Sequence, residues 1–254
     1  MKEIFDVQNR IVLITGSTRG IGYSLAKGFA ESGAITVING RSEKNVAEPV
    51  KKLNSAGFKV YGFPFDVTNT SEVEESIGRI EKSVGPVDVL INNAGIHKRA
   101  PLEEMTIDDW NTVIEVDLTS AFIVSKVVVK YMIERRNGRI INITSLNSEA
   151  ARPTIANYCA AKGGLKMLTK SMATEWGKYN ILTNGIGPGY FLTDLTKPLS
   201  DDPAFDSWVK SEVPLQRWGN TDELIGAAIF LASKASSYVN GHTIYVDGGW
   251  QACL

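Results

Sequence analysis

Tyr158 and Lys162 stand four residues apart in the run Tyr158-Cys159-Ala160-Ala161-Lys162, with Ser145 thirteen residues before Tyr158. An α-helix turns once in roughly 3.6 residues, so a helix here puts Tyr158 and Lys162 on one face. A free tyrosine loses its proton near about pH 10. An ammonium close by favours phenolate and lowers that value. The expectation is a phenol tuned towards neutrality, able to give a proton to an alkoxide and take it back. Ser145 then hydrogen-bonds the same oxygen and fixes its position. Taken singly, Tyr-x-x-x-Lys is also an ordinary helix surface pair.

A second constellation lies near the start of the chain: Gly16, Ser17, Thr18, Arg19, Gly20, Ile21 and Gly22. A buried strand precedes it and a helical stretch follows. Backbone N–H groups at such a helix start bind a pyrophosphate, helped by the helix dipole. Glycine is needed where a side chain would block the backbone's approach. The spacing is G-x-x-x-G-x-G rather than G-x-G-x-x-G, and alone it also describes a tight turn. A carboxylate about 20 residues further on would hold an adenosine ribose. The second strand ends instead in Asn39-Gly40-Arg41. Arg19 and Arg41 suit a 2′-phosphate through charge-assisted hydrogen bonds. The coenzyme expected is therefore NADP(H), with NAD(H) possible. The plainer reading is two solvated arginines.

The elements that must position these groups alternate along the chain. Strands are expected at 11–14, 35–38, 58–63, 87–91, 139–143, 181–186 and 243–246, several of them apolar on both faces. Helices are expected at 20–32, from the Ser42 cap to near Gly57, at 70–84, twice within 101–136, at 158–179 and at 221–233, the last opened by an approximate capping box of Thr221 and Glu223. The stretch from Gly187 to about Asn220 reads as a loop rich in proline and glycine. This alternation predicts an α/β fold: one doubly wound, parallel, Rossmann-like sheet in a single domain spanning residues 1–254.

The composition removes other classes. With 27 Lys plus Arg against 28 Asp plus Glu, the net charge of -1 gives no case for nucleic acid or an anionic membrane. No apolar run approaches the roughly 18 residues of a membrane span. Two histidines and two separated cysteines, Cys159 and Cys253, form neither a disulfide framework nor a zinc site, so no metal is expected. Residues 1–6 show no leader-type apolar stretch, and the expected location is cytoplasmic.

Thr15 to Gly22, Asp66-Val67, Asn92-Asn93-Ala94-Gly95, Ser145, Tyr158-x-x-x-Lys162, Asn184, Pro188-Gly189 and Val246-Asp247-Gly248-Gly249 follow one another in this order. Over nearly its whole length the chain resembles the short-chain dehydrogenase/reductase family. That resemblance implies a seven-stranded sheet and a homodimer or homotetramer. It implies that Asp66, beside Val67, touches the adenine. It also implies that Asn93, Ala94 and Gly95 line the coenzyme, that Pro188 and Thr193 flank the nicotinamide beside Gly189, and that Lys162 holds the nicotinamide ribose. One position departs from the family: Val116-Asp117-Leu118 stands where Val-Asn-Leu is usual. The usual asparagine supports a proton relay to the lysine. An ionised aspartate accepts hydrogen bonds but donates none, and its charge offsets the pull of Lys162 on Tyr158. The relay is expected to survive with a shifted pH optimum.

The runs Ala94 to Arg99, Gln216-Arg217-Trp218-Gly219, Val239 to His242 and Pro188 to Thr193 are similar to the gluconate 5-dehydrogenase subgroup. The substrate this implies is a sugar acid, 5-ketogluconate or gluconate, reacting at C5. His97-Lys98-Arg99 follows a strand's carboxyl end, where open α/β sheets bind ligands. Arg99, with Lys98 or Arg152, is expected to anchor the substrate carboxylate; a solvated basic loop is the plainer reading. Three alternatives stay open: a 2-dehydro-3-deoxygluconate 5-dehydrogenase, a 3-oxoacyl reductase, and a catalytically silent coenzyme sensor, for which Asp117 is the only argument.

Overall fold

The computed structural model describes residues 2–253. The short apolar runs become strands because their side chains are buried on alternating faces. β1 (Ile11–Ile14) sends Val12 and Ile14 to one face and Ile11 and Leu13 to the other. β4 (Val87–Asn92) and β5 (Gly138–Ile143) repeat the pattern, with Val89, Ile91, Ile141 and Ile143 on the first face and Val87, Leu90 and Ile140 on the second. β2 (Ile35–Gly40), β3 (Val60–Pro64), β6 (Ile181–Pro188) and β7 (Thr243–Val246) complete one sheet of order β3-β2-β1-β4-β5-β6-β7. Every pairing is parallel. The strand order reverses between β1 and β4, which opens a crevice at the strands' carboxyl ends.

Helices cover both faces. α1 (Gly20–Glu31) and α2 (Glu43–Ser55) pack on the first, where Leu25, Phe29, Val46 and Leu53 meet the strands. Ser42 caps α2 by accepting from the Asn45 N–H, as its position predicts. α3 (Thr70–Ser83) packs Val73, Ile77 and Ile80 on the second face. α4 (Ile107–Ile114) runs through a single wide π-turn, Glu115–Thr119, into α5 (Ser120–Arg135). α6 (Ala156–Trp176) carries Tyr158 and Lys162.

The stretch after β6 differs from expectation. It holds α7 (Lys197–Ser200) and α8 (Pro203–Glu212) rather than continuous loop. Asp202 caps α8 and Pro203 occupies its first turn, where the missing N–H costs nothing. α8 is fastened by aromatic packing. Tyr190 lies 5.5 Å from Trp218 and 5.2 Å from Trp250 between ring centres, and Phe205 and Trp208 join them. Trp218 Nε1 donates to Asp206 Oδ1 at 2.9 Å. The expected helix at 221–233 opens as a 3-10 turn before α9 (Ile225–Ala232), and its capping box uses Asn220 with Glu223 rather than Thr221. Among the described residues no helix is long and apolar enough to cross a membrane, and no cluster of metal-ligating side chains occurs.

Candidate active site

The glycine turn leaves β1 with Gly16 at φ +60°, left-handed backbone that suits glycine. Asn39, at the end of β2, organises the turn. Its Oδ1 accepts from the Gly16 N–H at 3.1 Å, and its backbone exchanges bonds with Ser17. Its side-chain amide donates to the Phe65 carbonyl at 3.0 Å. Asn93 braces the turn from β4, donating to the Thr15 and Gly16 carbonyls at 2.9 and 3.0 Å. Asn93 thus supports the loop with its side chain rather than lining the crevice as expected. At Gly22 a β-carbon would lie 2.4 Å from Asn93 Nδ2 and 2.6 Å from the Gly16 oxygen, so only glycine fits.

No side chain caps the start of α1, and its first turn holds no acidic residue. Its unpaired N–H groups therefore suit a pyrophosphate. Ser17 is buried, and its hydroxyl donates to the Ile14 carbonyl at 2.6 Å; Thr18 and Ile21 are half-buried. Arg19 and Arg41 are exposed, and neither joins an ion pair among the described residues. Asp66 accepts from Thr68 through both its hydroxyl and its N–H, and Val67 is buried. Thr193 crosses over the turn, 3.9 Å from where a β-carbon on Gly20 would be. Pro188 ends β6, and the Gly189 N–H donates to the Val246 carbonyl. Gly95 is exposed and Ala94 half-buried at the end of β4. The turn, its uncapped helix and the two free arginines fit a phosphorylated dinucleotide.

Ser145 follows β5 and caps a short 3-10 turn, accepting from the Asn147 N–H at 3.1 Å. Its hydroxyl is close enough to the Tyr158 phenol to favour the phenolate. Lys162 is 4 % exposed. Its Nζ donates to the Ile143 carbonyl at 3.0 Å and lies 5.5 Å from the centre of the Tyr158 ring. Behind it, at 3.3 Å, is Asp117 Oδ2, 1 % exposed, paired by charge but poorly aligned for a hydrogen bond. Asp117 Oδ1 accepts from the Ile96 N–H at 2.8 Å. The π-turn aims Asp117 inward, as such turns often do at functional sites. One carboxylate therefore ties Lys162 to the loop carrying His97 and Arg99.

The electrostatics correct one expectation. Burial pushes the Tyr158 phenol above its ordinary value; Lys162 and then Ser145 pull it down, while Asp117 pushes it up. Desolvation outweighs the ammonium. Burial likewise raises Asp117, against the pull of Lys162 and the Ile96 N–H.

His97 borders the phenol, and two arginines lie near His97. His97 stacks on Tyr158 with ring centres 4.0 Å apart and planes tilted 35°. The Ala100 N–H donates to the Thr154 carbonyl, and this bond draws the Arg99 and Arg152 loops together. Burial and then Arg152 lower Arg99 from its ordinary value. Arg152 lies over the Phe205 ring at 5.0 Å and close to the Tyr190 hydroxyl, and its buried Nε has no partner. Two guanidinium groups held together without a facing carboxylate suit an anion. Lys98 is not with them: it pairs with Asp109 at 3.0 Å, and its carbonyl accepts from Asn157. Sequence reasoning did not find Asn39 as the brace of the turn, nor the His97 stack. Asn39 was visible only as a missing carboxylate, and His97 only as one member of a basic run.

A family model described as Enoyl-(Acyl carrier protein) reductase matches residues 16–251. The chain is 51 % identical to a 2-dehydro-3-deoxy-D-gluconate 5-dehydrogenase of Formosa agariphila, covering 99 % of this chain and 96 % of the relative. It is 47 % identical to the 5-keto-D-gluconate 5-reductase of Escherichia coli K12, covering 98 % of each. Among solved structures, a gluconate 5-dehydrogenase from Burkholderia cenocepacia J2315 in complex with NADP and tartrate superposes with a TM-score of 0.97 at 48 % identity, covering 99 % of each chain. Sheet order, glycine turn, Ser/Tyr/Lys geometry and full-length similarity agree: the chain belongs to the short-chain dehydrogenase/reductase family.

Proposed function

We propose that this protein is an NADP(H)-dependent oxidoreductase that interconverts the C5 carbonyl and hydroxyl of a six-carbon sugar acid, 5-ketogluconate and gluconate. The observation that carries the reading is the arginine pair, Arg99 and Arg152, on loops joined by the Ala100–Thr154 bond next to the His97 that stacks on Tyr158, with no ion-pair partner for either among the described residues. Such a pair holds the acid group while the phenol meets a carbonyl further along the same molecule. The relatives' names agree on a sugar acid reacting at position 5.

In reduction, Ser145 hydrogen-bonds the carbonyl oxygen and Tyr158 donates its proton as that oxygen becomes an alcohol; in oxidation the proton returns to Tyr158. Lys162, fixed by the Ile143 carbonyl and Asp117, offers its positive charge to the phenolate that remains. Asp117 steadies Lys162 and limits that charge. The coenzyme, when bound, supplies the hydride. Residues 16–22, Arg41, Asp66, Val67, Ala94, Gly95, Lys162, Pro188, Gly189 and Thr193 would hold it, with Asn93 bracing the turn from behind. A relative solved with NADP supports the phosphorylated form, as do the free Arg19 and Arg41. A homodimer or homotetramer is supported by exposed Ile107, Phe122 and Met167 on α4, α5 and α6. A cytoplasmic location is supported by two free cysteines.

A second reading, a 2-dehydro-3-deoxygluconate 5-dehydrogenase, draws on the relative of that name at 51 % identity. It keeps the same carboxylate clamp and reacting carbon. Replacing Arg99 with alanine tests both. KM for the sugar acid should rise at least tenfold, the scale of a lost charge-assisted bond, while a neutral ketone changes little. Equal effects on both ketones would remove the clamp from the account.

A further inference from the structure

His97 is the group next to the phenol that the proton-transfer chemistry leaves unused. Its ring lies on Tyr158 at 4.0 Å. It stands two residues before Arg99 in the same loop and lies against Tyr158, so it joins the carboxylate clamp to the reacting oxygen. That is where the hydroxyl-bearing carbons of a bound sugar acid must run. Its Nδ1 is buried without a hydrogen-bond partner. A histidine serving only to pack normally finds one.

Burial and the three cations hold the imidazole at about 4, so it is neutral at physiological pH. A neutral imidazole offers one donor and one acceptor, the complement of a hydroxyl. The neighbouring arginines and lysine can only donate. Burying an unpaired lone pair costs less than burying an unpaired N–H. That comparison assigns the proton to Nε2 and leaves Nδ1 as an acceptor for a substrate hydroxyl.

We infer that His97 is a specificity-determining residue that hydrogen-bonds a substrate hydroxyl on a carbon next to the carbonyl, so that the site selects polyhydroxylated acids over deoxygenated acids of the same length. This rests on the sugar-acid reading above. The test compares 5-ketogluconate with 5-oxohexanoate, which keeps the carboxylate-to-carbonyl spacing and lacks every hydroxyl. The readout is the ratio of their kcat/KM values, or of their inhibition constants where 5-oxohexanoate turns over too slowly. His97→Phe keeps a ring against Tyr158 and removes both nitrogens; it should lower the ratio by about tenfold or more. His97→Gln restores a donor and an acceptor and should keep most of the preference. Equal losses on the two ketones in His97→Phe, or a glutamine variant as unselective as the phenylalanine one, overturn the inference and leave the sugar-acid reading standing. A wild-type enzyme that takes neither acid overturns that reading, and this inference with it.

Discussion

Replacing Lys162 with methionine removes the cation paired with Asp117 and keeps the volume. Both side chains are buried and 3.3 Å apart. Two unit charges at that distance attract by about 5 kcal/mol at an effective dielectric near 20. Deleting one partner of a buried pair costs about 3–5 kcal/mol, because the other charge is left uncompensated. For a chain of this length about 1 kcal/mol moves Tm by roughly 2 °C, so the variant should melt roughly 6–10 °C lower. Lys162→Met combined with Asp117→Asn should recover most of the loss, since no buried charge remains.

The pH dependence carries the sign. Burial holds the Asp117 carboxyl above its ordinary value in the folded state. Losing Lys162, which opposes that shift, raises it further. A carboxyl with a raised folded pKa costs nothing while both states are protonated. It costs more as pH climbs from the unfolded value through the folded one. The melting deficit of Lys162→Met should therefore be small near about pH 4 and grow as pH rises above it. Thermal unfolding of the wild type, both single variants and the double variant over that range gives the cycle. Additive losses with no pH dependence would show that Asp117 is not a charged partner of Lys162.

Other consequences follow from the same geometry. Tyr158→Phe removes the proton donor and keeps the ring under His97; kcat should fall by about 10²–10⁴-fold with coenzyme affinity nearly unchanged, as read by fluorescence titration. Arg41→Ala should weaken NADPH by about tenfold or more and leave NADH almost untouched, checked by KM for each. An equal effect on both coenzymes would return Arg41 to an ordinary surface residue.

Much of this was legible in the residues. The central strands announced themselves because they are apolar on both faces, and β1, β4 and β5 fell within a residue of expectation. Tyr158 and Lys162 share a face because helix geometry leaves no choice. What escaped depended on long-range packing. The π-turn at 115–119 lies inside an ordinary helical pattern, and only its contact with Lys162 shows what it does. Three prolines between 198 and 214 read as loop, although Asp202-Pro203 is a cap followed by a first-turn proline. The direction at Tyr158 was misjudged because a lysine four residues away is visible in a sequence, whereas the water a fold excludes is not. Lys98 looked as good a helper to Arg99 as Arg152 until α4 supplied Asp109.

The central claim is sugar-acid reduction at C5 by a phosphorylated coenzyme. The most direct measurement is the fall of reduced-nicotinamide absorbance with 5-ketogluconate, run in parallel with NADPH and NADH. The account predicts fast loss with NADPH and a much lower kcat/KM with NADH. A folded protein that oxidises neither coenzyme with this acid, yet turns over a 3-oxoacyl substrate, would contradict it.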